Sequence, residues 1–212
     1  MENHIRGKLM KFYLVLVSII LYSLASFTGC VSYSTLQSAK TLEPGQILAG
    51  GGSAFAIANG GSAVVPEFNA RVGIVRNFDL GAKYILPSLY FLDGKYQFID
   101  APVILSADLG WSYFSYTGSL GKSRGTTTCW YPMLIAGQEH WYFGVKEVYF
   151  STQGEFEFFG LNKFQGSGWI TTNIVAGGVI GNKIRFLPEV NILIPRSGKA
   201  LLVPAVGLQF VF

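Results

Sequence analysis

Charge is scarce. Only 13% of the 212 residues are Asp, Glu, Lys or Arg, roughly half the share of an average soluble domain. A water-facing surface needs more ions than that. Cysteine and histidine are scarcer still, with two of each. Cys30 and Cys129 permit at most one disulfide, and none if Cys30 is modified. No Cys/His group has zinc spacing, so neither a metal site nor a cofactor is expected. Gly50, Gly51 and Gly52 lack the following Lys-Ser/Thr of a phosphate loop and read as part of a strand. No G-x-S-x-G stretch is present. Beyond the N-terminal region the only histidine is His140, beside Glu139 in a turn. A lone turn histidine reads as solvated, so no catalytic residue is assigned and the chain is not expected to be an enzyme. The formal charge of +4 draws on Arg6, Lys8 and Lys11 near the start. From residue 30 onward 13 basic and 11 acidic residues remain, with no basic cluster. Nucleic acid is therefore not an expected partner.

The chain is rich in other things. Half of it is hydrophobic, 15% is aromatic, and it holds 26 glycines. The first 29 residues read as a signal peptide: a basic start, then an uncharged and mostly apolar run over 12–29. This run is the one expected helix. It ends on Phe27-Thr28-Gly29-Cys30. That tetrapeptide resembles the lipobox of bacterial lipoproteins, with Phe27 where Leu is usual. The resemblance implies acylation of Cys30. An uncleaved membrane helix and an ordinary secretory signal are the competing readings. Residues 30–45 are polar and short, and read as a lipid-anchored tether.

From residue 46 to 212 the period changes to two. Ten strand-length segments are expected over 46–57, 64–76, 78–87, 89–99, 101–114, 126–137, 141–151, 167–181, 183–194 and 199–212. In 101–114 the row Val103, Leu105, Ala107, Leu109, Trp111, Tyr113 opposes Ser106, Asp108, Gly110 and Ser112. In 183–194 the row Ile184, Phe186, Pro188, Val190, Ile192, Ile194 opposes Arg185, Glu189 and Asn191. Segments 126–137 and 141–151 alternate poorly, because Lys146 and Glu147 are adjacent. Tight turns are expected near Asn77, Asp100, Gln138 to His140, and Asn182. Longer connections are expected at 58–63, 115–125, 152–166 and 195–198.

An apolar row paired with a polar row fits either a soluble sandwich or a barrel in a bilayer. In a bilayer the sheet must close, because the hydrocarbon offers the backbone no partners. Segments of about ten residues, short turns at one end, longer loops at the other and aromatics near segment ends are the marks of outer-membrane barrels. Residues 46–212 resemble the small bacterial outer-membrane barrels of the OmpA-like and OmpW-like class. The fold expected is all-β: one antiparallel transmembrane barrel of about ten strands, within eight to twelve. The resemblance implies that Leu208, Phe210 and Phe212 form a C-terminal insertion signal read by the barrel-insertion machinery. It also implies a bacterial outer-membrane location, with both termini periplasmic and the wall against membrane lipid.

The inward row then holds Glu67, Arg71, Asp79, Lys83, Asp93, Lys95, Asp108, Arg185 and Glu189. Both signs occur, often two residues apart. In a barrel of about ten strands such charges fill the lumen as paired ions. The expected role is structural or surface-interacting, with lipopolysaccharide or an extracellular partner met through loops 115–125 and 152–166. A narrow, porin-like channel for ions or small solutes is the alternative. An outer-membrane lipid-modifying enzyme and a soluble periplasmic lipoprotein sandwich rank below both.

Overall fold

A computed structural model describes residues 34–58, 61–86, 89–117, 124–158, 162–196 and 199–212. The expected signal helix over 1–29 and the expected lipidation site Cys30 lie outside the described residues. Ten strands follow in chain order: β1 Ile47–Ala58, β2 Gly61–Val75, β3 Phe78–Ile85, β4 Leu89–Ile99, β5 Ile104–Thr117, β6 Arg124–Gly137, β7 Trp141–Phe158, β8 Asn162–Gly178, β9 Ile184–Pro195 and β10 Leu201–Val211. Each pairs antiparallel with its neighbours in sequence, and β1 pairs with β10, so the sheet closes. The closing register runs from Leu48 opposite Val211 to Ala54 opposite Ala205. Closure leaves no sheet edge unpaired.

Alternation decides which row faces out. Phe68 is 58% exposed, Leu134 62% and Leu202 57%. Their strand neighbours on the other row are enclosed: Glu67, Met133 and Val203 are all buried. The barrel is thus inside-out relative to a soluble protein, with its apolar row on the outer wall and ions within. On the outer wall Trp141, Phe143, Tyr96 and Phe210 lie near one end of the barrel. Trp111, Tyr113, Trp130, Tyr149 and Trp169 lie further up, on the adjacent strands β5 to β8. Tyr149 and Trp169 meet edge to face with centroids 5.2 Å apart.

One end carries the turns at 76–77, 100–103, 138–140 and 179–183, together with the start of β1 and Phe212. We call it the short-turn end. The amide of Ile47 donates to Phe212 O, and that of Phe212 to Ile47 O. The opposite end differs from expectation. Strand residues extend into the connections expected over 58–63, 115–125 and 152–166. The β5–β6 ladder continues to Thr117 opposite Arg124, and β7–β8 to Phe158 opposite Asn162, with a bulge between Thr152 and Phe156. These stretches are rich in Tyr, Phe and Thr, which favour a pleated surface. A paired neighbour was available to extend against, so tall hairpins formed in place of loops. We call this the hairpin end.

Candidate functional site: a lumen threaded by the chain itself

Residues 30–45 read as an external tether in the sequence. The part that is described runs inside the barrel. Ser34, Leu36 and Ala39 are essentially fully buried, and Thr41 and Leu42 nearly so. This luminal segment enters at the short-turn end, where Gly45 donates its amide to Gly73 O at 2.8 Å. A Cβ on Gly73 would overlap the carbonyl of Glu43, so glycine permits the close approach. The segment then rises. Leu42 N donates to Asp79 at 3.0 Å, and Thr41 N to Gln97 at 2.9 Å. Ser106 donates to Ala39 O, Lys95 to Ser38 O at 2.9 Å, and Gln209 to Leu36 O at 2.8 Å. Leu36 packs over Gly52 and Gly207, where a side chain on Gly52 would occupy its space.

A second tier holds the top of the segment. The two carboxylate oxygens of Glu189 accept the amides of Thr35 and Leu36 at 2.7 and 2.6 Å. Glu189 also accepts from Tyr142 Oη at 2.6 Å and Asn191 Nδ2 at 2.7 Å. Ser34 Oγ donates to Glu67, and the ammonium groups of Lys83 and Lys146 reach Ser34 O at 3.2 and 3.4 Å. Lys83, Lys146 and Glu189 each lie five residues from the short-turn start of their strands. At about 3.3 Å per residue and the usual barrel tilt, that is roughly 12 Å up the lumen.

The ion pairs surround this segment. Arg71 bridges Asp79 and Asp93 and lies 3.8 Å from Asp108. Lys95 stands 3.6 Å from Asp79, and Lys83 3.4 Å from Glu67. A carboxylate or ammonium this deep needs both a counter-charge and hydrogen bonds. Here the counter-charges come from neighbouring strands, and many of the hydrogen bonds come from the backbone of the luminal segment.

Of the sequence-predicted inward charges, Glu67, Asp79, Lys83, Lys95, Asp108 and Glu189 are buried, and Arg71 and Asp93 are nearly so. Arg185 stands apart: it is half-buried at the short-turn rim, donating to Asn182 O at 3.1 Å. Lys146 joins the luminal set although the sequence left its facing open. Its neighbour Glu147 turns to the outer wall, taking a 2.8 Å hydrogen bond from Thr172. Leu208 and Phe210 sit on the outer row of β10, and Phe212 ends beside β1. Sequence reading missed the partner of these charges altogether. The available signal was that residues 34–39 carry no charge of their own and offer small polar side chains and backbone groups.

Among the described residues no group of three or more His, Cys, Asp or Glu is placed to hold a metal ion. Below the luminal segment the barrel opens into a vestibule of about 570 Å³, lined by Lys40, Arg76, Asp100, Glu139 and His140 among others.

The fold and lumen define a closed, inside-out antiparallel barrel that holds part of its own chain. Solved structures similar to it are outer-membrane barrels. The N-terminal β-barrel domain of OprF from Pseudomonas aeruginosa is 9% identical, over 81% of this chain and 100% of that one, with a TM-score of 0.31. The outer membrane protease OmpT from Escherichia coli is 13% identical over 82% and 100%, with a TM-score of 0.41. Neisserial surface protein A is 10% identical over 79% and 96%, with a TM-score of 0.28. At these scores the likeness carries no weight on activity. No family model and no curated protein sequence matches the chain.

Proposed function

We propose that this is a bacterial outer-membrane barrel with a structural or surface-interacting role, its lumen sealed by charged side chains. One observation carries the sealed lumen: Glu189, Asp79, Lys83, Lys95 and Lys146 hold the backbone of residues 34–42 across the barrel axis. An open pore would leave those ions to water. The apolar outer wall supports the membrane setting, since a closed sheet is the form of strand that hydrocarbon tolerates. On this reading the short-turn end and both ends of the barrel chain face the periplasm. Acylation of Cys30 would add an anchor to that of the wall. The final Leu208, Phe210 and Phe212 address the insertion machinery. The connections over 115–125 and 152–166 then stand on the outer side, where lipopolysaccharide or an extracellular partner is met.

The sealed lumen is tested by conductance. In planar bilayers the full chain is expected to show no steady single-channel current. A variant lacking residues 34–43 is expected to conduct. Steady current from the full chain would favour the narrow channel instead.

A further inference from the structure

Two small cavities lie against the luminal segment, inside the ionic tiers. The larger, about 30 Å³, is lined by Gln37, Asn69, Arg71, Gly81, Asp93 and Gln209 among others. The smaller, about 20 Å³, is lined by Ser34, Asp108, Tyr131 and Lys146 among others. Thr35, Gln37, Lys83 and Asp93 line both, so the two adjoin. The larger shares Lys40 and Leu42 with the vestibule at the short-turn end. The three spaces therefore succeed one another up the lumen, from the short-turn end to the tier of Lys83 and Lys146.

Three buried side-chain atoms in these walls have no hydrogen-bond partner among the described residues: Gln37 Oε1, Asn69 Nδ2 and Asp93 Oδ1. The Asp93 side chain is only 7% exposed. Buried polar atoms in folded proteins are nearly always met by a partner, ordered water included. The other end of each group fixes its direction. Gln37 Nε2 donates to Asp108 Oδ2 at 2.6 Å, which leaves its oxygen open. Asn69 Oδ1 accepts from Gln209 Nε2 at 3.3 Å, which leaves a donor open. Asp93 Oδ2 accepts from Arg71. Asp93 Oδ1 lies so close to Gly81 that a Cβ there would overlap it, and Gly81 belongs to the wall of the larger cavity.

Two acceptors and one donor are thus open, and that set selects its ligand. A metal cation would meet the Asn69 N–H and the neighbouring charges of Arg71 and Lys95. An anion would meet the Asp93 carboxylate. Water donates twice and also accepts, so it answers all three atoms. The volumes agree. One water needs about 10–15 Å³ of such space, so the larger cavity holds about two and the smaller one.

We propose that these two cavities are built water sites, and that their waters continue the vestibule up to the second tier. This deepens the sealed-lumen reading and rests on it. The luminal segment bars the passage of ions, while water reaches the buried charges from the short-turn end and completes the hydrogen bonding of Asp93.

The test is a crystal structure of the full chain at a resolution that shows ordered water, from crystals in sodium chloride and in rubidium chloride. The result expected is ordered water within hydrogen-bond distance of Asn69 Nδ2 and Asp93 Oδ1, with no anomalous rubidium signal in either cavity. A rubidium signal there, cavities without density, or those two atoms bonded to protein groups instead would overturn the proposal. A solution measurement checks the choice of ligand. Replacing sodium by tetramethylammonium at equal ionic strength is expected to leave the denaturant midpoint in detergent unchanged. A midpoint lowered by the exchange assigns the site to a cation and refutes water. Conductance reads the seal separately: a conducting chain with water at these atoms refutes the seal, and a non-conducting chain with dry cavities refutes the water sites.

Discussion

Arg71 shows how a single residue ties strands together. Its guanidinium on β2 meets carboxylates on β3, β4 and β5. Gly81 makes the room, since a side chain there would overlap both Arg71 and Asp93. Removing the cation takes a counter-charge from three enclosed carboxylates, of which Asp79 keeps Lys95 at 3.6 Å. Arg71→Ala is expected to cost about 3–5 kcal/mol, the usual penalty for breaking a buried pair, read as denaturant unfolding in detergent. Adding Asp79→Asn and Asp93→Asn to that variant should recover much of the loss, because the uncompensated charge is then gone. Glu189 acts on the luminal segment in the same way. Gln at this position replaces one acceptor oxygen by a donor facing an amide. Glu189→Gln is expected to destabilise by about 1–3 kcal/mol and to speed amide exchange at Thr35 and Leu36. Unchanged exchange at those two amides would show that the segment is held by something else.

Strand β7 sets the terms for its own outlier. Its outer row reads Trp141, Phe143, Val145, Glu147, Tyr149, and among the described strand side chains Glu147 is the only Asp, Glu, Lys or Arg on the outer wall. The neighbouring ladder is interrupted beside it. Pairing of β6 with β7 skips from Trp130 opposite Tyr149 to Met133 opposite Lys146, around Pro132. Proline has no N–H to give a ladder. Glu147 therefore sits on a locally loosened wall, with Thr172 as its hydrogen-bond donor. If that wall meets hydrocarbon, a carboxylate on it is a net cost, though smaller than for Lys or Arg. Glu147→Leu is expected to raise the unfolding free energy in lipid vesicles by about 1 kcal/mol. A lower midpoint for this variant would place polar surroundings outside β7.

For the whole molecule, closure is the governing fact. Every strand has two partners, and the last joins the first. Such a ladder has no free edge from which a detergent can begin to unpick it. The protein is expected to stay in the membrane fraction until detergent is added. It should also run at a different gel mobility unheated than after boiling. Release into aqueous buffer without detergent would show that the apolar wall is covered by something other than lipid.

The two-residue period was enough to assign ten strands, their faces and the enclosure of most of the ions. A strand's side chains must alternate, so Phe68 and Glu67 had to part company wherever the sheet lay. It could not assign the facing of Lys146 and Glu147, because adjacent charges break the alternation and only the register beside Pro132 resolves which turns inward. Nor could it foresee the tall hairpins, since strand length there depends on having a paired neighbour to extend against. The largest difference concerns residues 34–43. Their composition is that of a polar linker, and the lack of charge over 34–39 is the one local mark of an interior place. They lie inside because a ten-residue stretch of backbone carries donors and acceptors in quantity, and the buried Glu189, Asp79, Lys83 and Lys95 needed both. That match exists only once the barrel has brought those four side chains around a common axis.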